Sequence, residues 1–136
     1  MDADQCRELF STQPVARLGT MGPDGPHLVP VVFATDGDRV VTAVDHKPKT
    51  TSRLRRLSNV AANPSVTLLV DHYSNDWTQL WWVRADGTAS IHDSGDRHAT
   101  AVELLVARYE QYRDRRPTGP VIDVSVTRWR GWKAAP

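Results

Sequence analysis

Five cations stand within ten residues of this 136-residue chain: Lys47, Lys49, Arg53, Arg55 and Arg56. No acidic residue interrupts them, and they straddle the start of a predicted short helix that Thr50, Thr51 or Ser52 can cap. A helix N-terminus offers unpaired N–H groups and the positive end of a dipole, so cations gathered there repel it unless an anion intervenes. A merely solvated face would balance such charges with acids at i+4, and none follows. The pattern points to a bound phosphate or carboxylate, with the three hydroxyls and nearby backbone N–H groups as further donors.

The other residues that could meet a ligand are aromatic. Tyr73, Trp77, Trp81 and Trp82 cluster in one stretch. Adjacent strand residues point to opposite faces, so Trp81 and Trp82 cannot both fill one core; one faces inward and the other a subunit or a ligand. Trp129 and Trp132 suggest a second aromatic anchor. The five histidines (27, 46, 72, 92 and 98) form no H-x-x-x-H pair and none lies near the single Cys6, so no metal site is expected. His72, between Asp71 and Tyr73, is the one best placed for a polar role. No G-x-S-x-G, G-x-G-x-x-G or Walker lysine motif is present. Catalysis by this chain would therefore rest on a cofactor.

The elements that position these residues follow from periodicity. A short helix is expected at 2–12. A first strand, Pro14 to Met21, leads through the turn-rich Gly22-Pro23-Asp24-Gly25-Pro26 into a second, His27 to Thr35. Pro30 removes a ladder donor there and favours an edge or a bulge. Asp36-Gly37 marks a hairpin to a third strand, Arg39 to Val44. Leu54, Leu57, Val60 and Ala61 give the next helix its buried stripe, which Asn63-Pro64 ends. Val66 to Tyr73 and Leu80 to His92 read as strands, the latter interrupted near Asp86-Gly87. A second helix runs from a Ser94 cap through about Tyr112, and Val121 to Trp129 alternates as a sixth strand. Hairpin connections exclude a parallel βαβ sheet. The expected fold is α+β and mainly β: a six-stranded antiparallel split β-barrel with peripheral helices, one domain over residues 1–136.

Composition narrows the partners. A net charge of +1 gives no field of the kind that coats nucleic acid. No apolar run spans a bilayer, and the acidic N-terminus lacks the order of a signal peptide; a cytoplasmic protein is expected, with neither membrane nor nucleic acid as partner.

Four segments resemble the flavin/deazaflavin-binding split-barrel family related to pyridoxamine 5′-phosphate oxidase, closest to its branch that uses the deazaflavin coenzyme F420. They are PVARLGTMGPDGPHLVPVVFA, TAVDHKPKTTSRLRRLSNVAANPSVTLLVD, DWTQLWWVRADGTA and the closing strand through Trp129. In the related oxidases a lysine lies eight residues before the proline of an Asn-Pro pair; counted back from Pro64, that place is Arg56 here. The resemblance implies a homodimer with cofactors in grooves between subunits. It implies that the backbone of Val29, Pro30, Val31 and Val32 lies along the ring system. It assigns Lys47, Lys49, Thr50, Thr51, Arg53 and Arg56 to the phosphate and anionic tail, with Arg55 set apart as a position that can face solvent. Trp77 and Trp81 would reach across the dimer to the ring or the substrate. F420 carries a phosphodiester and an oligoglutamate tail where FMN has one phosphate, and five cations favour the longer anion. The expectation is an F420-dependent oxidoreductase passing a hydride between the reduced cofactor and a small organic substrate. The alternatives are an FMN-binding oxidoreductase on the same barrel and a protein that holds F420 without turnover. Pyridoxamine-phosphate oxidation is not expected, because WRGWKAAP stands where the basic, histidine-containing substrate pocket would be.

Overall fold

The computed structural model describes residues 1–44 and 51–135, with the side chains of 51–54 outside that description. Seven strands are found among the described residues: β1 (Val15–Gly22), β2 (Gly25–Val32), β3 (Ala34–Asp36), β4 (Arg39–Ala43), β5 (Ser65–His72), β6 (Trp81–His92) and β7 (Val121–Lys133). They form one antiparallel sheet in the order β2-β1-β5-β6-β7-β4-β3. Only Phe33 separates β2 from β3, yet these strands are the two opposite edges of the sheet. Edges joined by one residue must lie together, so the sheet curls back on itself. This is the α+β, mainly antiparallel split barrel that the alternating pattern implied. Helices α1 (Ala3–Ser11), α2 (Thr51–Ala62), α3 (Gly95–Arg108) and α4 (Glu110–Asp114) lie around it.

The division at Phe33 corrects the expected unbroken strand from His27 to Thr35, and with it the count of six strands. The Phe33 ring is fully buried, 4.9 Å from Phe10, and the Arg108 guanidinium lies 4.6 Å above its centre. Its backbone leaves the ladder for side chains. Phe33 N–H donates to the Tyr109 hydroxyl (3.1 Å), and its carbonyl accepts from Arg108 (2.8 Å) and lies 2.7 Å from the same hydroxyl. A buried corner is tolerated because its polar groups are satisfied.

The same clamp explains a second difference. The long helix ends at Arg108 rather than near Tyr112, and Tyr109 is extended (φ −115°, ψ 122°). Breaking there turns the phenol inward, where its hydroxyl also meets the Pro14 carbonyl at 2.8 Å. Burial raises the phenol pKa, partly offset by its bond to Phe33 and by Arg108. Arg113 then reaches back to the carbonyls of Val106 and Ala107, which the helix end leaves without intrahelical donors.

The core fills the barrel with Phe10, Leu18, Leu68, Val70, Val83, Ile122 and their neighbours, while a smaller cluster seats α3 against β3 and β4. Asp123, 1% exposed, sits under α3 and pairs with Arg39 (2.7 Å) and Arg97 (3.1 Å). The interruption foreseen at Asp86-Gly87 is a β-bulge in the β6–β7 ladder. A side chain at Gly87 would fall inside contact distance of the Ser125 carbonyl, so only glycine lets the strands approach there. Strand β7 runs past Trp129 to Lys133, extending the sheet alongside Trp81. Among the described residues, no helix is long and apolar enough to cross a membrane.

Candidate functional site

Strand β2 is an edge, as Pro30 suggested, and period two decides which backbone groups face outward. The Thr42 hydroxyl, on β4, donates to the Val32 carbonyl (2.8 Å), so Val32 points away from β1. In an antiparallel strand the N–H and C=O of one residue point the same way and alternate residues share a side. Leu28 and Pro30 therefore face outward with Val32, while His27, Val29 and Val31 bond to β1. Proline fits this placement, because the donor it lacks would have had no strand to meet. The result, among the described residues, is an edge offering Leu28 N–H and C=O, Pro30 C=O and Val32 N–H in a row. Thr42 closes one end of that row. The Arg108–Tyr109 clamp at Phe33 fixes the direction in which the strand arrives.

Side chains divide by the same alternation. Val29 and Val31 turn inward, Val31 into the core and Val29 packed against it, while Leu28 is 68% exposed on the outer face. Of the residues assigned to the ring, all four thus lie on one strand, and Pro30 and Val32 present backbone outward.

Of the residues assigned to the phosphate, Lys47, Lys49 and Thr50 lie outside the described residues. Thr51 and Arg53 open α2, with their side chains outside the description. Arg56 follows on the same helix and is half-buried; Arg55 beside it is exposed. Helix α2 packs chiefly on β1 and β6, held by Asn59, which is 2% exposed and donates to the Thr20 hydroxyl at 3.0 Å.

Trp77 and Trp81 are not together in a closed pocket. Trp77 sits in a single 3₁₀ turn, Trp77–Gln79, capped by Asp76, and is 68% exposed. Trp81 packs against the barrel core and stacks on His72 with centres 6.1 Å apart. Trp82 points to the other face, as the alternation required. There it lines an apolar groove of about 550 Å³ with Leu28, Leu69, Tyr73 and Trp132, whose rim Trp81 and His72 also reach. Charges in this groove are largely paired across the sheet face: Arg17 with Asp71 at 3.5 Å, and Arg84 with Asp86 at 3.1 Å. A face so apolar and so neutral is suited to a partner surface.

Sequence reading missed the residues that shape the edge. Thr42, Arg108 and Tyr109 carry no motif, and only the topology brings them to β2. The outer groove was half visible, in Trp82 and Trp132, but Leu28 and Leu69 looked like ordinary strand residues.

A family profile described as "Pyridoxamine 5′-phosphate oxidase" matches residues 3–133. The chain belongs to that family. Membership is consistent with the barrel: solved structures of the same fold include an FAD-binding protein from Mycobacterium smegmatis, at 17% identity and TM-score 0.68, covering 100% of this chain and 99% of that one. An FAD-binding protein from Mesorhizobium loti has 17% identity and TM-score 0.70, with 96% and 92% covered. A heme-binding protein from M. smegmatis has 20% identity and TM-score 0.77, with 97% of this chain and 54% of that one covered. At these identities the likeness is one of fold. A comparison with curated proteins returned no match.

Proposed function

We propose that this member of the pyridoxamine 5′-phosphate oxidase family is a flavin-binding oxidoreductase that takes FMN or FAD in preference to F420. The observation that carries the binding of such a ring is the outward row on β2, which a flavin and a deazaflavin would meet alike. The pyrimidine edge of a flavin alternates acceptors and donors, and the row offers N–H and C=O groups in kind. Two relatives of the same fold bind FAD, which supports a flavin over the deazaflavin expected from the cation run. The bound flavin would supply two-electron transfer to a small organic substrate. The chain would bind it through α2 and the segment before it, orient its edge by backbone bonds at Leu28, Pro30 and Val32, and exclude water with Trp77 and Trp81. Lys47, Lys49, Thr50, Thr51, Arg53 and Arg56 keep their assignment to the phosphate, and a charge-assisted bond from each cation is worth about 1.5–3 kcal/mol.

The apolar outer groove completes the proposal. A second copy of the chain is its occupant, because Leu28, Leu69 and Trp132 form a neutral apolar strip flanking the β2 edge. In such a homodimer the exposed Trp77 is an aromatic available to reach the partner's cofactor.

Side-by-side fluorescence titration with FMN, FAD and F420 tests the cofactor. Micromolar flavin binding, at least tenfold tighter than F420, is expected. The reverse order would restore the deazaflavin reading, and binding of none would remove the proposal.

A further inference from the structure

Helix α2 meets the barrel through a polar pair set among apolar residues. Asn59 is 2% exposed and Thr20 5%, and the carboxamide of the first donates to the hydroxyl of the second at 3.0 Å. Leu57 and Val60 on the same helix, and Leu18 on the same strand, join the barrel core. A side chain at Gly22 would come within 2.5 Å of the Asn59 carboxamide oxygen, so this glycine leaves the room in which the carboxamide sits. A cleft of about 380 Å³, which Asn59 and Gly22 line, opens between the tip of the β1–β2 hairpin and the helix.

A buried hydrogen-bonded pair adds little stability over an apolar pair of the same shape. What it adds is register. An apolar contact tolerates a helix that slides or turns by a fraction of a residue. A hydrogen bond is satisfied at one setting, and any other leaves buried polar groups without partners.

The place of the pair in the fold gives that register a use. Thr20 lies directly across the ladder from His27, the residue before the outward row of β2. Pro30 is three residues further, about 10 Å along the strand. On the helix, Arg56 stands three residues before Asn59 and Arg53 six before, about 4.5 and about 9 Å along the axis. One hydrogen bond therefore joins the strand assigned to the ring to the helix assigned to the phosphate.

We propose, on the flavin reading above, that Asn59 and Thr20 are positioning residues that set the span between the ring edge and the phosphate-binding helix. The protein thereby selects a cofactor whose phosphate lies at one fixed reach from its ring. Both residues act through Arg53, Arg56 and the β2 row. Without the bond the helix keeps its packing but not its setting, so the phosphate's share of the affinity is lost and the ring's share is kept.

FMN and riboflavin differ only in the phosphate, so the ratio of their dissociation constants reads what the helix contributes. In the full chain, Thr20→Val should lower the preference for FMN at least fivefold and leave riboflavin affinity within about twofold. Thr20→Ser, which returns the hydroxyl, should restore the parent ratio. Thr20→Val combined with Asn59→Leu replaces the bond with an apolar contact of similar shape. That double variant should keep the parent's urea midpoint and still show the lowered ratio, which a merely structural role would not produce. An unchanged ratio in the single and double variants, equal weakening of FMN and riboflavin, or no rescue by serine overturns the proposal. Where Thr20→Val alone fails to fold, the double variant decides. A parent that prefers F420 to FMN would count against the flavin reading alone, and the ratio is then taken between F420 and its core lacking the phosphodiester. A parent that binds none of these overturns both.

Discussion

Replacing Tyr109 with phenylalanine removes one oxygen from the molecule and tests how the barrel corner is held. The hydroxyl meets Phe33 N–H, the Phe33 carbonyl and the Pro14 carbonyl at 3.1, 2.7 and 2.8 Å. The losses are unequal. The Phe33 carbonyl keeps its bond from Arg108 at 2.8 Å, whereas the Phe33 N–H has the hydroxyl as its acceptor and is left buried without it. An orphaned buried donor costs about 1–3 kcal/mol, against a total stability of about 5–15 kcal/mol for a domain. Urea denaturation should therefore show a fall of about 1–3 kcal/mol with an unchanged m-value, and flavin affinity should fall with it because β2 leaves that corner. The phenol gives a second signature. Its pKa is raised in the folded protein by burial, so the unfolded chain ionises first as pH rises. The tyrosine's contribution is whole below the unfolded value near 10 and is lost as pH climbs through the folded one. The parent should lose stability over that alkaline window faster than Tyr109→Phe does. A variant within about 0.3 kcal/mol of the parent at neutral pH, with the same alkaline slope, would refute the clamp.

Other expectations follow from single contacts. Gly87→Ala should destabilise the fold by about 1–3 kcal/mol, seen as a lower urea midpoint, because the Ser125 carbonyl occupies the space a methyl needs. Leu69→Arg should convert a dimer to a monomer in light scattering with the fold intact; a parent that is itself monomeric would remove the outer-groove interface. Reversing charge at Lys49 and Arg56 together should weaken flavin by about 2 kcal/mol or more in equilibrium titration, and equal affinity would misplace the phosphate. Asp38 accepts from Arg7 (2.7 Å) and from the Trp129 indole (2.8 Å), and these bonds hold its pKa below the usual carboxylate value, Arg7 contributing most. Its support is present above the unfolded value and lost as pH falls through the lowered one, so acid should shift Trp129 emission in the parent and not in Asp38→Asn.

What could be read from the sequence was what repeats. Alternation in PVARLGTM and VTLLVDHY fixed strand faces, Pro30 marked an edge, and Asp86-Gly87 marked the bulge. The break at Phe33 left no such sign, because VVFAT keeps the composition of a strand; the corner exists through Arg108 and Tyr109, 75 and 76 residues away. The helix end at Arg108 was hidden for the same reason, since Tyr109 and Tyr112 continue the apolar stripe and only tertiary bonds break it. Trp81 and Trp82 were assigned to opposite faces by period alone, but the groove beneath Trp82 needed the register of four strands. The cation run was plain to see, yet sequence alone could not weigh a long anion against a short one.

The central claim is that a flavin ring lies along the outward edge of β2, and a crystal structure of the flavin-soaked protein tests it most directly. The account predicts ring density within hydrogen-bond distance of the Pro30 carbonyl or Val32 N–H, with the phosphate toward the start of α2. A flavin seated in the outer groove or the hairpin cleft, with β2 untouched, would contradict it.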